Sequence, residues 1–249
     1  MISKNQIKFI RQLEMKKYRN RERLFVAEGP KVVGDLLRKY GAKAIYATEE
    51  WSPSADVSLS LVEWITDDEL HRISFLQHPQ QVLALFPIPE SDSSLALLHL
   101  TSSLSLALDG IQDPGNLGTI IRIADWFGID TIYCSEDTAD AYNPKVVQAT
   151  MGSLARVNII YISLESLLDN LPDDFPVYGT ILDGDEIYQQ PLSQNGIIVM
   201  GNEGNGISQE IRTKVNRRLL IPRFRTGDSA ESLNVAIATA ITCSEFRRR

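Results

Sequence analysis

Three loop-forming stretches carry the side chains of this chain that could do chemistry. They are Leu108-Asp109-Gly110-Ile111-Gln112-Asp113-Pro114-Gly115-Asn116-Leu117-Gly118, then Met200-Gly201-Asn202-Glu203-Gly204-Asn205-Gly206, then Ser232-Leu233-Asn234-Val235-Ala236. The first two follow an apolar run that reads as a buried strand, and the third opens an apolar-periodic helix. Glycine lets a loop backbone approach a ligand closely, and a fixed Asn, Arg, Glu or Ser can then be aimed at it. Three such loops in one half of a chain point to an enzyme.

Each side chain has a plainer reading beside the functional one. Asn116 stands near a helix start, where an Asn commonly caps. Arg122, six residues on, falls within the apolar run Ile120, Ile121, Ile123, Ala124, where an unpaired charge would be costly, so it calls for a carboxylate or phosphate partner. Glu203 offers a carboxylate, and it follows a buried strand, where open parallel sheets place ligands. Ser232 reads as a cap for the last helix. Asn234 sits near that helix's expected apolar stripe of Leu233, Ala236, Ile237, Ala240 and Ile241, where an amide needs a partner.

These loops need a frame. From residue 104 onward, strands are expected at 104–109, 131–134, 177–182, 197–200 and 218–221, and helices at 117–127, 144–155, 208–215 and 233–247. Strands such as Ile197-Ile198-Val199-Met200 are apolar throughout, as in a parallel sheet covered on both faces. Residues 1–90 also alternate: a helix over 4–18 capped by Ser3, a strand at 24–27, a helix from Pro30, a strand at 44–48, a helix from Asp67 and a strand at 81–86. This is a small α/β layer. The Ser-rich stretch 91–103, preceded by Pro87 and Pro89, reads as a linker, with the apolar patch Leu95–Leu100 inside it.

The bulk composition, 43% apolar and 23% charged over 249 residues, suits a folded globular protein of one or two domains. The N-terminus lacks the apolar segment of a secretion signal, and no stretch is long and apolar enough to span a membrane. The two cysteines and three histidines have no metal-ligand or disulfide spacing, so no metal and a cytoplasmic location are expected. Net charge is −7, yet residues 1–40 hold eleven basic and four acidic side chains. A basic end on an acidic body fits either a phosphate-bearing partner or a solvated helix face.

The set Asn116…Arg122, Gly201-Asn202-Glu203-Gly204, and Ile221-Pro222…Ser232-Leu233-Asn234-Val235-Ala236 resembles the three motifs of the SpoU (TrmH-like) family. These are S-adenosylmethionine-dependent RNA ribose 2′-O-methyltransferases of the SPOUT superfamily. Phe25-Val26-Ala27-Glu28-Gly29-Pro30-Lys31-Val32-Val33 is similar to the small L30e-like domain that binds RNA substrate in rRNA-modifying members. The resemblance implies an α/β chain with an RNA substrate-binding domain at 1–90, a linker at 91–103 and a methyltransferase domain at 104–249 with a parallel sheet and a deep trefoil knot. It also implies a homodimer and a ribosomal RNA substrate. By motif position the catalytic side chains would be Asn116, Arg122, Glu203, Ser232 and Asn234. The cofactor would be held at Gly201, Ile221 and Leu233, with Leu182 or Asp183 lining the pocket. The loop Arg223–Glu231 is longer than the tightest family pattern and carries Arg223, Arg225 and Asp228. Other readings are a tRNA ribose methyltransferase or an RNA- or ribosome-binding protein without catalysis. A dinucleotide-dependent dehydrogenase is disfavoured, because Gly115-Asn116-Leu117-Gly118 lacks the G-x-G-x-x-G spacing.

Overall fold

A computed structural model describes residues 1–54, 57–90, 103–225 and 232–248. Residues 91–102, with the Leu95–Leu100 patch, lie outside the described residues, as do 226–231, which include Asp228. The chain forms two compact units, Met1–Glu90 with Asp140–Arg156, and Ser91–Ala139 with Val157–Arg249. No helix among the described residues is long and apolar enough to cross a membrane.

The first unit opens with α1 (Lys4–Gln12), held by a reciprocal Ser3–Gln6 capping box. The sequence predicts one helix over 4–18, but the chain breaks and restarts as α2 (Lys16–Glu22). Arg19 explains the break. Buried to 1% exposure, its Nη1 donates to the carbonyls of Leu13 at 2.8 Å and Glu14 at 2.6 Å. Its Nε and Nη2 donate to Asp140 Oδ2 at 3.1 and 2.5 Å. A continuous helix would have used those carbonyls internally and left the guanidinium without them. There follow β1 (Leu24–Glu28), α3 (Pro30–Leu37), β2 (Ala44–Ala47), β3 (Val62–Trp64), α4 (Asp67–Ile73) and β4 (Val82–Pro87). The sheet runs β1-β4-β2-β3. Its β1–β4 and β4–β2 pairs are antiparallel, and β2–β3 is parallel. Ile10, Leu13, Val26, Leu70, Ile73, Leu83 and Leu85 form its core.

The second unit alternates strand and helix: β5 (Leu104–Asp109), α5 (Pro114–Trp126) and β6 (Thr131–Cys134). The chain then contributes α6 (Pro144–Ala149) to the first unit, although its sequence position falls within the expected second domain. β7 (Asn158–Tyr161), α7 (Leu164–Asp169), β8 (Val177–Glu186), β9 (Gly196–Gly201), α8 (Gln209–Arg212), β10 (Arg217–Leu220) and α9 (Val235–Arg248) complete the order. The six strands run β10-β8-β9-β5-β6-β7, and every pair is parallel. β5 and β9, at the centre, are buried along almost their whole length, which accounts for the apolar run of β9 and for the mostly apolar β5, broken only by buried Ser105 before Asp109.

β8 outruns its expected end at 182, continuing through Asp183-Gly184-Asp185-Glu186. β10 pairs with two separate stretches of it: Arg217 and Arg218 oppose Tyr178 and Gly179, then Leu219 and Leu220 oppose Asp185 and Glu186. Gly184 permits the second contact, since a Cβ there would lie 2.7 Å from the Leu219 carbonyl carbon.

Candidate active site

The first and second loops leave adjacent strands at their carboxyl ends, where Asp109 opposes Gly201. That edge is the usual ligand site of an open parallel sheet. The loop after β9 closes on itself. Asn202 and Gly206 exchange backbone hydrogen bonds, both 2.9 Å. Asn202 Oδ1 accepts the N–H groups of Gly204 (2.9 Å) and Asn205 (3.0 Å). Gly201 makes the closure possible, since a Cβ there would sit 2.2 Å from the Gly206 carbonyl carbon and the Ile207 nitrogen. Two clamps hold this ring against the first loop. Asn202 Nδ2 donates to the Gly110 carbonyl at 2.6 Å, and the Ser208 N–H donates to Asp109 Oδ2 at 2.7 Å.

The ring presents Glu203 to Asn116, whose Nδ2 donates to Glu203 Oε1 at 2.8 Å. Asn234 Nδ2 donates in turn to Asn116 Oδ1 at 2.9 Å. Asn234 Oδ1 accepts the N–H groups of Ala236 (2.9 Å) and Ile237 (3.3 Å). Both amide orientations have a physical cause. The Asn234 oxygen must face the helix N–H groups, so its nitrogen faces Asn116, and the Asn116 nitrogen must face the carboxylate because an oxygen there would be repelled. Three side chains, separated by up to 118 residues, therefore form one donor chain, Asn234 to Asn116 to Glu203. Such chains strengthen each member in turn. Glu203 Oε2 has no hydrogen-bond partner among the described residues and is free to accept one.

The other expected site residues fall as follows. Arg122 is exposed on α5 and makes no hydrogen bond or ion pair among the described residues. The expected buried charge is not found: Ile120, Ile121 and Ala124 face the core while Arg122 turns to solvent, and Glu203 pairs with Asn116 instead. Ser232 is exposed and does not cap the last helix, since Asn234 takes that position. Asn234 is itself exposed. The buried face of α9 is Val235, Ala236, Thr239, Thr242, Cys243 and Phe246, leaving Leu233 and Ile237 about half exposed. The expected stripe was displaced because it ranked apolar residues by type, whereas Thr239 and Thr242 are buried by donating to the carbonyls of Val235 and Ala238. Gly201 lies at the end of β9. Ile221 follows β10, and the N–H groups of Ile221 and Leu233 have no hydrogen-bond partner among the described residues. Leu182 is 77% exposed. Asp183 is ion-paired to Arg212 at 2.6 Å and Arg218 at 3.6 Å. Among the described residues no cluster of His, Cys, Asp and Glu could hold a metal.

Asn202 and Asp109 belong to the quoted motifs but were not singled out by sequence. The only signal was a polar side chain beside a strand end within each motif. Asn202→Ala is expected to lower single-turnover methyl transfer by about 10- to 100-fold, since sub-ångström misplacement of a positioned group has effects of that size. The Kd for S-adenosylmethionine should stay within about threefold. Near-normal transfer by this variant would show that the ring does not position Glu203.

Residues 103–244 match the SpoU rRNA Methylase family, and residues 4–84 match the MRM3-like substrate binding domain. The chain is 33% identical over 250 residues to the 23S rRNA (guanosine(2553)-2′-O)-methyltransferase RlmP of Bacillus subtilis, covering 98% of this chain and 97% of that one. Among solved structures, a TrmH-family protein from Porphyromonas gingivalis is 43% identical with a TM-score of 0.86, covering 100% of this chain and 99% of that one. An AdoMet-bound rRNA methyltransferase from Sinorhizobium meliloti is 30% identical with a TM-score of 0.85, covering 100% and 97%.

Proposed function

This chain belongs to the SpoU rRNA methylase family, and from that premise we propose how its three loops perform the family's reaction. The enzyme is an S-adenosylmethionine-dependent methyltransferase acting on a ribose 2′-hydroxyl of ribosomal RNA. The observation that carries the site assignment is the donor chain Asn234–Asn116–Glu203, which gathers one residue from each motif at the carboxyl edge of the sheet.

The residues present fit the cofactor. The N–H groups of Ile221 and Leu233 are open to a ligand, and Leu182 and Leu233 expose apolar surface suited to an adenosine. With the Gly201 backbone, these would hold it. Asp183 is engaged by two arginines, so its place is at the pocket wall, through its backbone. When bound, the cofactor supplies an already activated methyl group, which leaves alignment and proton handling to the protein.

Glu203 Oε2 accepts the hydroxyl proton of the target ribose in a hydrogen bond and fixes its direction. Asn116 holds the carboxylate, and Asn234 holds Asn116. Arg122 grips the phosphate beside the target ribose with its guanidinium and polarises the hydroxyl. The proton leaves to that phosphate or to water. Ser232 lies one residue from Leu233 and faces the RNA.

The first unit supplies phosphate affinity. Lys4 and Lys8 are exposed one turn apart on α1, opposite buried Ile10 and Leu13, and they contact the RNA backbone without reading sequence; Arg11 donates instead to the Ser74 carbonyl and lies over the Phe75 ring. The working form is a homodimer. α5 and α9 pack together, and Trp126 at the C-terminal end of α5 and Ile237 at the N-terminal end of α9 stay 84% and 53% exposed, two apolar side chains that a second copy would cover. The match to the SpoU family supports the deep trefoil knot. A cytoplasmic location follows from the substrate.

Comparing 2′-O-methyl maps of ribosomal RNA from cells with and without the gene tests this reading. One ribosomal position should lose its methyl group. Unchanged ribosomal maps with a loss in transfer RNA would move the substrate class, and no change in either would favour a binding protein without catalysis.

A further inference from the structure

Phe224 is 86% exposed, and among the described residues only Met1 is a more open large apolar side chain. Arg223 and Arg225 flank it, both exposed and neither bonded among the described residues. The three follow Ile221-Pro222 directly. β10 is the edge strand of the sheet, and Leu220 opposes Glu186 of β8. The chain must reach Asn234, which is bonded to Asn116 in front of β5, and β8 and β9 lie between those two fixed points. Residues 223–225 therefore begin a connection between two points on the carboxyl edge that carries the candidate site.

A core or capping role is inconsistent with 86% exposure, and no aromatic or ion-pair partner for the three residues exists among the described residues. An aromatic ring between two guanidiniums matches the chemistry of an unpaired nucleotide run. The ring offers a face to a base, and the cations offer charge to the phosphates on either side. An acidic protein surface could pair with the two arginines but would leave the Phe224 ring without a face to stack on, whereas an unpaired nucleotide run engages all three side chains.

We propose that Arg223-Phe224-Arg225 is an RNA-contact strap: Phe224 stacks on an unpaired base neighbouring the target nucleotide, and Arg223 and Arg225 hold the adjoining phosphates. This rests on the reading of the second unit as an RNA methyltransferase. It adds to that reading a preference for single-stranded over duplex RNA that comes from the catalytic unit itself.

The test uses the full chain with S-adenosylmethionine and a fluorescein-labelled single-stranded RNA oligonucleotide, alongside a duplex of the same sequence. Phe224→Ala should weaken single-strand affinity about 10-fold or more and leave duplex affinity unchanged, and Phe224→Trp should restore it. Arg223→Ala/Arg225→Ala should weaken both and flatten the single-strand salt slope by about 1.4, the value for two phosphate contacts. The Kd for S-adenosylmethionine and the oligomeric state should not move in any variant. Unchanged RNA affinity in Phe224→Ala overturns the proposal. So does a matching loss of cofactor affinity, which would make Phe224 a cover for the cofactor, or a shift to monomer, which would make it a subunit contact. Wild-type protein that binds the cofactor but no RNA overturns both this proposal and the reading beneath it.

Discussion

Arg122→Ala loses at least about 100-fold in single-turnover methyl transfer, while the Kd for S-adenosylmethionine stays within about twofold. The size follows from removing a cation that this reading places against the target phosphate and the developing negative charge, a loss that typically has an effect of about 100- to 1,000-fold. Arg122 is exposed and without a partner among the described residues, so its removal leaves no buried group unsatisfied and should not disturb folding. Arg122→Lys keeps the charge but not the planar fork and should fall between the two. Near-normal turnover by Arg122→Ala would remove it from the site. Loss of cofactor affinity to the same extent as loss of turnover would make it a binding residue instead.

Asp140→Ala destabilises the first unit by about 3–5 kcal/mol, the range for leaving a buried charge without its counterion. Arg19 is 1% exposed, and Asp140 side-chain exposure is 13%. The carboxylate receives two of the guanidinium's hydrogen bonds, and the two backbone carbonyls of residues 13 and 14 cannot replace its charge. A urea titration followed by far-ultraviolet circular dichroism reads the change, and Asp140→Asn should recover part of it. A loss below about 1 kcal/mol would show that solvent reaches the pair. The result also bears on truncations. Residues 140–156 pack within the first unit, so deleting residues 1–90 strips α6 and Asp140 of their partners as well as removing Lys4 and Lys8.

Much of this architecture was legible because apolar runs are a direct record of burial. β5 and β9 are buried on both faces, and their sequences, Leu104-Ser105-Leu106-Ala107-Leu108 and Ile197-Ile198-Val199-Met200, show it. The turn at Gly29-Pro30 and the helix start at Asp67 were equally readable, since each rests on a local preference. What escaped depends on distant partners. The break between α1 and α2 is held by Arg19, whose guanidinium is in turn paired with Asp140, more than a hundred residues away. The far end of β8 is polar and glycine-containing, and only the approach of β10 makes it a strand. β7 and α7 are short, and their apolar residues serve a core assembled from both sheet neighbours and flanking helices.

The site shows the same division. The motifs located Asn116, Glu203 and Asn234, but which of them touch is a property of the fold. Arg122 looked buried because its neighbours in sequence are Ile121 and Ile123, yet on a helix adjacent residues point about 100° apart. Asn202 looked like part of a flexible glycine-rich turn, and its two clamping roles appear only once Gly110 and Gly204 are placed beside it.

A crystal structure of the full chain with S-adenosylmethionine tests the central claim most directly. The account predicts the adenosine against the backbone of Gly201, Ile221 and Leu233, and the transferable methyl group directed towards the side of Glu203 that Asn116 leaves open. Cofactor bound away from the carboxyl edge of β5 and β9, or a methyl group facing away from Glu203, would contradict it.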